Sequence, residues 1–123
     1  MNNLSSFLCL MKNEVPEASL YEIALVFFGY RHKYLCEGNS MLPTLKDGDK
    51  VLVDRTAEVA VGDIVVVRHP VEQNSELVKR IEKINERGHY FLVGDNLEDS
   101  NDSRHFGAVT REYITGKVVG RLS

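Results

Sequence analysis

Residues 37–45 read Glu-Gly-Asn-Ser-Met-Leu-Pro-Thr-Leu, and the organisation of the whole chain is read outward from them. Pro43 fixes its own φ and disfavours the helical region for Leu42, so the run predicts a rigid turn. Gly38 admits a backbone conformation that other residues resist, or the close approach of a second segment. Ser40 sits on this turn. A serine hydroxyl becomes a nucleophile only when a base lies within reach. Without one, serine beside Gly and Asn is turn chemistry, so the base has to come from elsewhere in the chain.

On either side of the turn the sequence is β-rich. Tyr34–Glu37 leads in, Lys46-Asp47-Gly48-Asp49 turns, and Lys50–Asp54 reads as a strand. Val61-Gly62-Asp63 turns again, followed by the apolar run Ile64–Val67 and a stop at His69-Pro70. Leu77–Ile84 alternates, Asn85–His89 turns, and Tyr90–Val93 and Ile114–Leu122 read as further strands. Short strands with regular turn signals predict a mostly β fold, of folded antiparallel sheets or a small barrel.

The N-terminal third differs. Ser19-Leu20-Tyr21-Glu22 matches a capping box, and Gly29 is a stop signal, so a short helix is expected between them with Leu20, Ile23, Ala24 and Phe27 on one face. About ten to 14 residues at 1.5 Å each reach roughly 15–21 Å, short of the roughly 30 Å hydrocarbon core of a bilayer. The helix is expected to pack on the domain or lie on a surface, and any membrane contact through Leu20–Phe28 to be peripheral. Leu4–Met11 is apolar but lacks a basic lead and a small-residue cleavage site, so it reads as an amphipathic turn, not a secretory signal. The expected division is a helical segment over 1–33 and a β catalytic domain over 34–123.

Composition bounds the function. The chain has 123 residues, enough for one domain, with 43% hydrophobic and 27% charged residues, as in globular proteins. A net charge of −3 without a basic run argues against a nucleic-acid partner. Cys9 and Cys36, and the histidines His32, His69, His89 and His105, have no metal-ligand spacing, so neither a metal nor a cofactor is expected. The cysteine usage fits a reducing, cytoplasmic setting.

The candidate base is Lys79, in Glu76-Leu77-Val78-Lys79-Arg80-Ile81. On a strand, side chains 77, 79 and 81 share a side, so Lys79 lies among apolar neighbours while Arg80 points the other way. Desolvation disfavours the ammonium and lowers its pKa, and only a neutral amine is a base. A Lys-Arg pair on an edge strand with snorkelling side chains is the plainer reading of the same residues. His69 is a rival base, although Leu42 departs from the Gly-x-Ser-x-Gly elbow. Residues 94–107 form a long polar loop, a length that points to function in a compact domain. Within it Asp102 and Arg104 can pair, and Ser100 can orient a buried amine.

Taken in order, these segments resemble the type I signal peptidase family of Ser/Lys proteases. The resemblance covers roughly residues 35–122 and rests on Gly38–Leu45 with its Ser-Met-x-Pro-Thr-Leu, Gly48–Val53, Gly62–Val67, Val78-Lys79-Arg80 and the Gly-Asp-Asn…Ser-x-Asp-Ser-Arg box of Gly94–Gly107. It implies that Ser40 is the nucleophile and neutral Lys79 the general base. It further implies that Ser100 orients the amine, Asp102 and Arg104 brace the site, and the Ser40 backbone N–H is one oxyanion donor. Gly38 stands where some members carry a serine as second donor. Arg31–Lys33, Glu37-Gly38 and Val66–Pro70 resemble the small anchorless branch that matures nickel superoxide dismutase by removing an N-terminal extension. The implied partner is therefore a precursor with a leader, such as that dismutase. General leader peptidase activity, a self-cleaving repressor-type Ser/Lys domain, and a non-catalytic domain that binds peptides by strand addition are the alternatives.

Overall fold

The structure is a computed structural model that describes residues 15–72, 74–99 and 101–122. The readings of Leu4–Met11, Cys9 and Ser100 fall outside the described residues. Among the described residues six strands form the fold: β1 (His32–Leu35), β2 (Lys50–Asp54), β3 (Ile64–Arg68), β4 (Glu76–Ile84), β5 (Tyr90–Val93) and β6 (Ile114–Leu122). They make one sheet in the order β1-β2-β6-β3-β4-β5, with every neighbouring pair antiparallel. Among the described residues the protein is mostly β, with a short helix at Leu20–Phe27.

β3 shows why the sheet holds. Ile64, Val65, Val66 and Val67 are all buried, because β4 and β6 flank the strand and both faces are covered. Ile64 and Val66 join Cys36, Met41, Leu45, Val51, Val53, Val78 and Val118 in one apolar cluster. Val65 and Val67 join Ile81, Leu92, Val109 and Ile114 in a second. Each such side chain contributes about 1.5–3 kcal/mol on burial. The Tyr34 hydroxyl donates to the Glu76 carbonyl at 3.1 Å, which links edge strand β1 to β4 across the curled sheet. At the other end of β6, the Pro16 carbonyl accepts from the Arg121 N–H and the Ala18 N–H donates to the Arg121 carbonyl, both at 2.8 Å.

The helix starts as its cap predicts, with Ser19 Oγ accepting from the Glu22 N–H at 3.2 Å, and Gly29 follows it at φ +81°. Its packing differs from the expected face. Leu20 and Phe27 are each 86% exposed, whereas Ile23, Leu25 and Val26 are half-buried. The Glu22 carboxylate accepts from Arg31 Nε at 2.8 Å, and Arg31 also reaches Asp54 at 3.4 Å. Arg31 thereby ties the helix to the end of β2. Among the described residues no helix is long and apolar enough to cross a membrane.

The polar loop after β5 also carries more order than expected. Ser103–Phe106 forms a helical turn capped by Asp102, whose side chain accepts from the Arg104 N–H at 3.0 Å. Aspartate at an N-cap satisfies an N–H that the turn itself leaves free.

Candidate active site

The Ser40 turn is anchored from below. Met41 and Leu45 are 1% and 0% exposed, and the Leu45 N–H donates to the Met41 carbonyl at 3.0 Å. Gly38 has φ +84°, the conformation its lack of a side chain permits, and the Leu42–Pro43 peptide is cis. The Gly38 N–H donates to Asp47 Oδ1 at 2.8 Å. Ser40 itself is half-buried, and its carbonyl accepts from the Asn96 N–H at 2.8 Å. Asn96 Nδ2 donates to the Asn39 carbonyl at 3.0 Å, so the loop after β5 is stitched directly to the serine turn. Gly94 lies closer still: a Cβ there would stand 2.5 Å from the Ser40 carbonyl oxygen.

Lys79 is 1% exposed on β4, beside half-buried Leu77 and buried Ile81 on the apolar side that alternation predicts. Burial pushes its amine below the usual lysine value. The charges of Asp102 and Asp99 oppose this shift, and that of Arg104 adds to it. Among the described residues Lys79 makes no ion pair, so desolvation prevails.

Asp102 is 0% exposed and accepts from the Gly94 N–H at 2.9 Å. Arg104 grips the same carboxylate through Nε at 3.0 Å and a second guanidinium nitrogen at 2.6 Å. Burial pushes the carboxyl up, but the hydrogen bonds from Arg104 and Gly94 outweigh it and hold the group below the usual carboxylate value. The expected Asp102–Arg104 pair is therefore present. Gly94 joins it to the serine turn, donating its N–H to Asp102 while packing against the Ser40 backbone.

The rival base is engaged elsewhere. His69 is 7% exposed and its Nδ1 accepts from the Val71 and Glu72 N–H groups at 3.1 and 2.9 Å, while its ring meets Phe106 edge-on at 5.1 Å. It holds the turn between β3 and β4.

Comparison with known proteins agrees with this architecture. The Peptidase S24-like family matches residues 33–119. The chain belongs to that family. Mitochondrial ATP-independent inner membrane protease subunit 1a of Arabidopsis thaliana is 34% identical over 111 residues, covering 69% of this chain and 66% of the relative. Mitochondrial inner membrane protease subunit 1 of Schizosaccharomyces pombe is 34% identical over 119 residues, covering 74% and 76%. Signal peptidase I U of Bacillus subtilis is 36% identical over 89 residues, covering 69% of this chain and 41% of that protein. The chain thus spans about two thirds of the Arabidopsis thaliana subunit, about three quarters of the Schizosaccharomyces pombe one and under half of that signal peptidase.

In this Peptidase S24-like chain a second clamp supports the site, through side chains to which the sequence alone assigns no role there. Arg80, on the opposite side of β4 from Lys79, holds Asp95 with two bonds at 2.9 and 2.8 Å and donates to the Gly62 carbonyl at 2.7 Å. Asp95 in turn accepts from the Thr44 hydroxyl. Burial raises the Asp95 carboxyl, and the bonds from Arg80 and Thr44 more than reverse that. The strand carrying Lys79 is therefore fixed to the turn carrying Ser40 by Arg80–Asp95–Thr44. The available signal is alternation, which puts Arg80 opposite Lys79, together with an acid directly after Gly94. Ser103 is a second such residue, its Oγ accepting from the Leu92 N–H at 2.9 Å and pinning the loop to β5.

Proposed function

We propose that the protein is a serine endopeptidase that removes an N-terminal leader from a precursor, with Ser40 as nucleophile and Lys79 as general base. The observation that carries this is Lys79: a wholly buried lysine whose amine is pushed down, on a strand clamped to the serine turn. A neutral amine takes the Ser40 hydroxyl proton as Oγ attacks the scissile carbonyl. The ammonium then returns that proton to the leaving amine as the peptide C–N bond breaks, and water hydrolyses the acyl-serine by the same base. The Ser40 N–H supplies one oxyanion contact. The Gly38 N–H is already committed to Asp47 and supplies none. Asp102 and Arg104 brace the loop under the serine, and Ser100 keeps the amine-orienting role that the resemblance implies.

The family relatives, inner membrane proteases and a signal peptidase, support general leader removal. A nickel superoxide dismutase precursor is the narrower substrate, supported by the resemblance of Arg31–Lys33, Glu37-Gly38 and Val66–Pro70 alone. Exposed Leu20, Tyr21, Phe27 and Phe28 fit peripheral contact with a lipid surface where a precursor is presented. The test incubates the protein, Ser40→Ala and Lys79→Met with a small-residue leader peptide and with the dismutase precursor, and reads intact masses. One cut by the wild type, absent in both variants, is the expected result. Cleavage retained by Lys79→Met overturns the base assignment.

A further inference from the structure

A Lys79 amine that takes the Ser40 proton becomes a buried ammonium, and a charge that forms in a desolvated site needs compensation. Among the described residues, the groups whose charges bear on Lys79 are Asp102, Asp99, Arg104 and Cys36. Two of these oppose each other. Arg104 grips the Asp102 carboxylate at 3.0 and 2.6 Å, and where Asp102 favours the ammonium Arg104 disfavours it. Burial pushes the Cys36 thiol up, so it carries no charge near neutral pH. Asp99 remains. It is exposed and in no ion pair among the described residues.

The backbone holds Asp99 at the site. The Asn96 N–H donates to the Ser40 carbonyl at 2.8 Å, and Asn96 Nδ2 donates to the Asn39 carbonyl at 3.0 Å. The Asp99 N–H closes a turn on the Asn96 carbonyl at 3.1 Å, and the Glu98 N–H donates to Asn96 Oδ1 at 3.2 Å. Further along, Asp102 caps the helical turn and accepts from the Gly94 N–H at 2.9 Å. Asp99 therefore lies between two anchors, one on the serine turn and one at the Asp102–Arg104 pair.

We infer that Asp99 is a positioning residue of the peptidase, whose unpaired carboxylate stabilises the Lys79 ammonium while the Ser40 proton is held there. This rests on the peptidase reading above. The carboxylate acts as one does on the imidazolium of a Ser-His-Asp triad, here across a gap wider than an ion pair. Without it the ammonium is less stable, and Lys79 gives up its proton at lower pH. Asp99→Asn is expected to move the ascending limb of kcat/KM down by on the order of half a pH unit. With the proton about half transferred in the transition state, the weaker base lowers the plateau about twofold and leaves the variant about twofold faster than the wild type below the limb. The two profiles cross. A site that was merely distorted would be slower at every pH.

The experiment measures kcat/KM on one leader peptide across the ascending limb for the wild type, Ser40→Ala, Asp99→Asn and Glu98→Gln, beside the ¹⁵N titration of the Lys79 amine. Crossing profiles and a lower Lys79 midpoint in Asp99→Asn, with a smaller change in Glu98→Gln, support the inference. An unmoved Lys79 midpoint, a loss of rate at every pH, or a shift as large in Glu98→Gln overturns it and leaves the peptidase reading standing. Absence of any Ser40-dependent cleavage overturns both.

Discussion

Gly94 packs against Ser40 so closely that a methyl group in place of its hydrogen would stand 2.5 Å from the Ser40 carbonyl oxygen and 3.4 Å from its Cβ. Neither backbone can yield easily, because Ser40 is bonded to Asn96 and Gly94 to Asp102. Gly94→Ala is therefore expected to displace the nucleophile. Overpacking of this kind costs about 1–3 kcal/mol of stability. A displacement on the order of 1 Å costs on the order of 100-fold in rate. Leader-peptide cleavage and a denaturant midpoint, measured together, check that activity falls far more than stability.

The Arg80–Asp95–Thr44 clamp makes a separate prediction. Asp95→Asn weakens the bonds to both Arg80 and Thr44, and is expected to lower stability by about 1–3 kcal/mol and kcat by about 10- to 100-fold. Thr44→Val removes only the hydroxyl and should lie between this variant and the wild type. Because both residues act by positioning, KM should change less than kcat, which steady-state kinetics on one leader peptide resolves.

Several of these features are legible in the chain and others are not, for physical reasons. Lys50–Asp54 and Tyr90–Val93 are strands with the bounds read from pattern, because turn residues flank short apolar runs on both sides. Lys79 is recognisable as inward-facing because the strand period is two. Thr44, Asp95 and Arg80 are not recognisable as a unit, since 51 and 15 residues separate the bonded pairs and polar residues in loops carry no periodicity. The helical turn after Asp102 is too short for a 3.6-residue pattern, although its capping aspartate is a local signal. The helix differs for another reason: Leu20 and Phe27 of the expected face are exposed, and the Glu22–Arg31 bond that ties the helix down spans nine residues and leaves no periodic signal.

Asp102 predicts an acid limb in stability. Its folded pKa lies below the unfolded value of about 3.9, so its stabilising contribution is complete above that pH and is lost as pH falls through the folded value. Asp102→Asn should therefore melt below the wild type at pH 7, with the gap narrowing as pH drops below about 4. Thermal midpoints from pH 7 down to pH 2 check both the sign and the window.

Lys79 predicts a slope of the same sign, in an alkaline window. Its folded pKa lies below the unfolded value of about 10.4, so the unfolded chain binds more protons between the two values and wild-type stability rises with pH across that window. Lys79→Met removes the desolvated amine, so it should fold at least as stably as the wild type. Its advantage should be largest below the folded pKa and vanish toward pH 10.4 or so. A pH series of urea midpoints for the two proteins checks this.

The most direct measurement is titration of the Lys79 amine by NMR on ¹⁵N-lysine-labelled protein, beside the pH dependence of kcat/KM for leader cleavage. One amine titrating below the others, at the pH of the ascending limb of kcat/KM, and missing from Lys79→Met, is the predicted result. A Lys79 amine that titrates with the exposed lysines, or an ascending limb unrelated to it, would contradict its role as the base for Ser40.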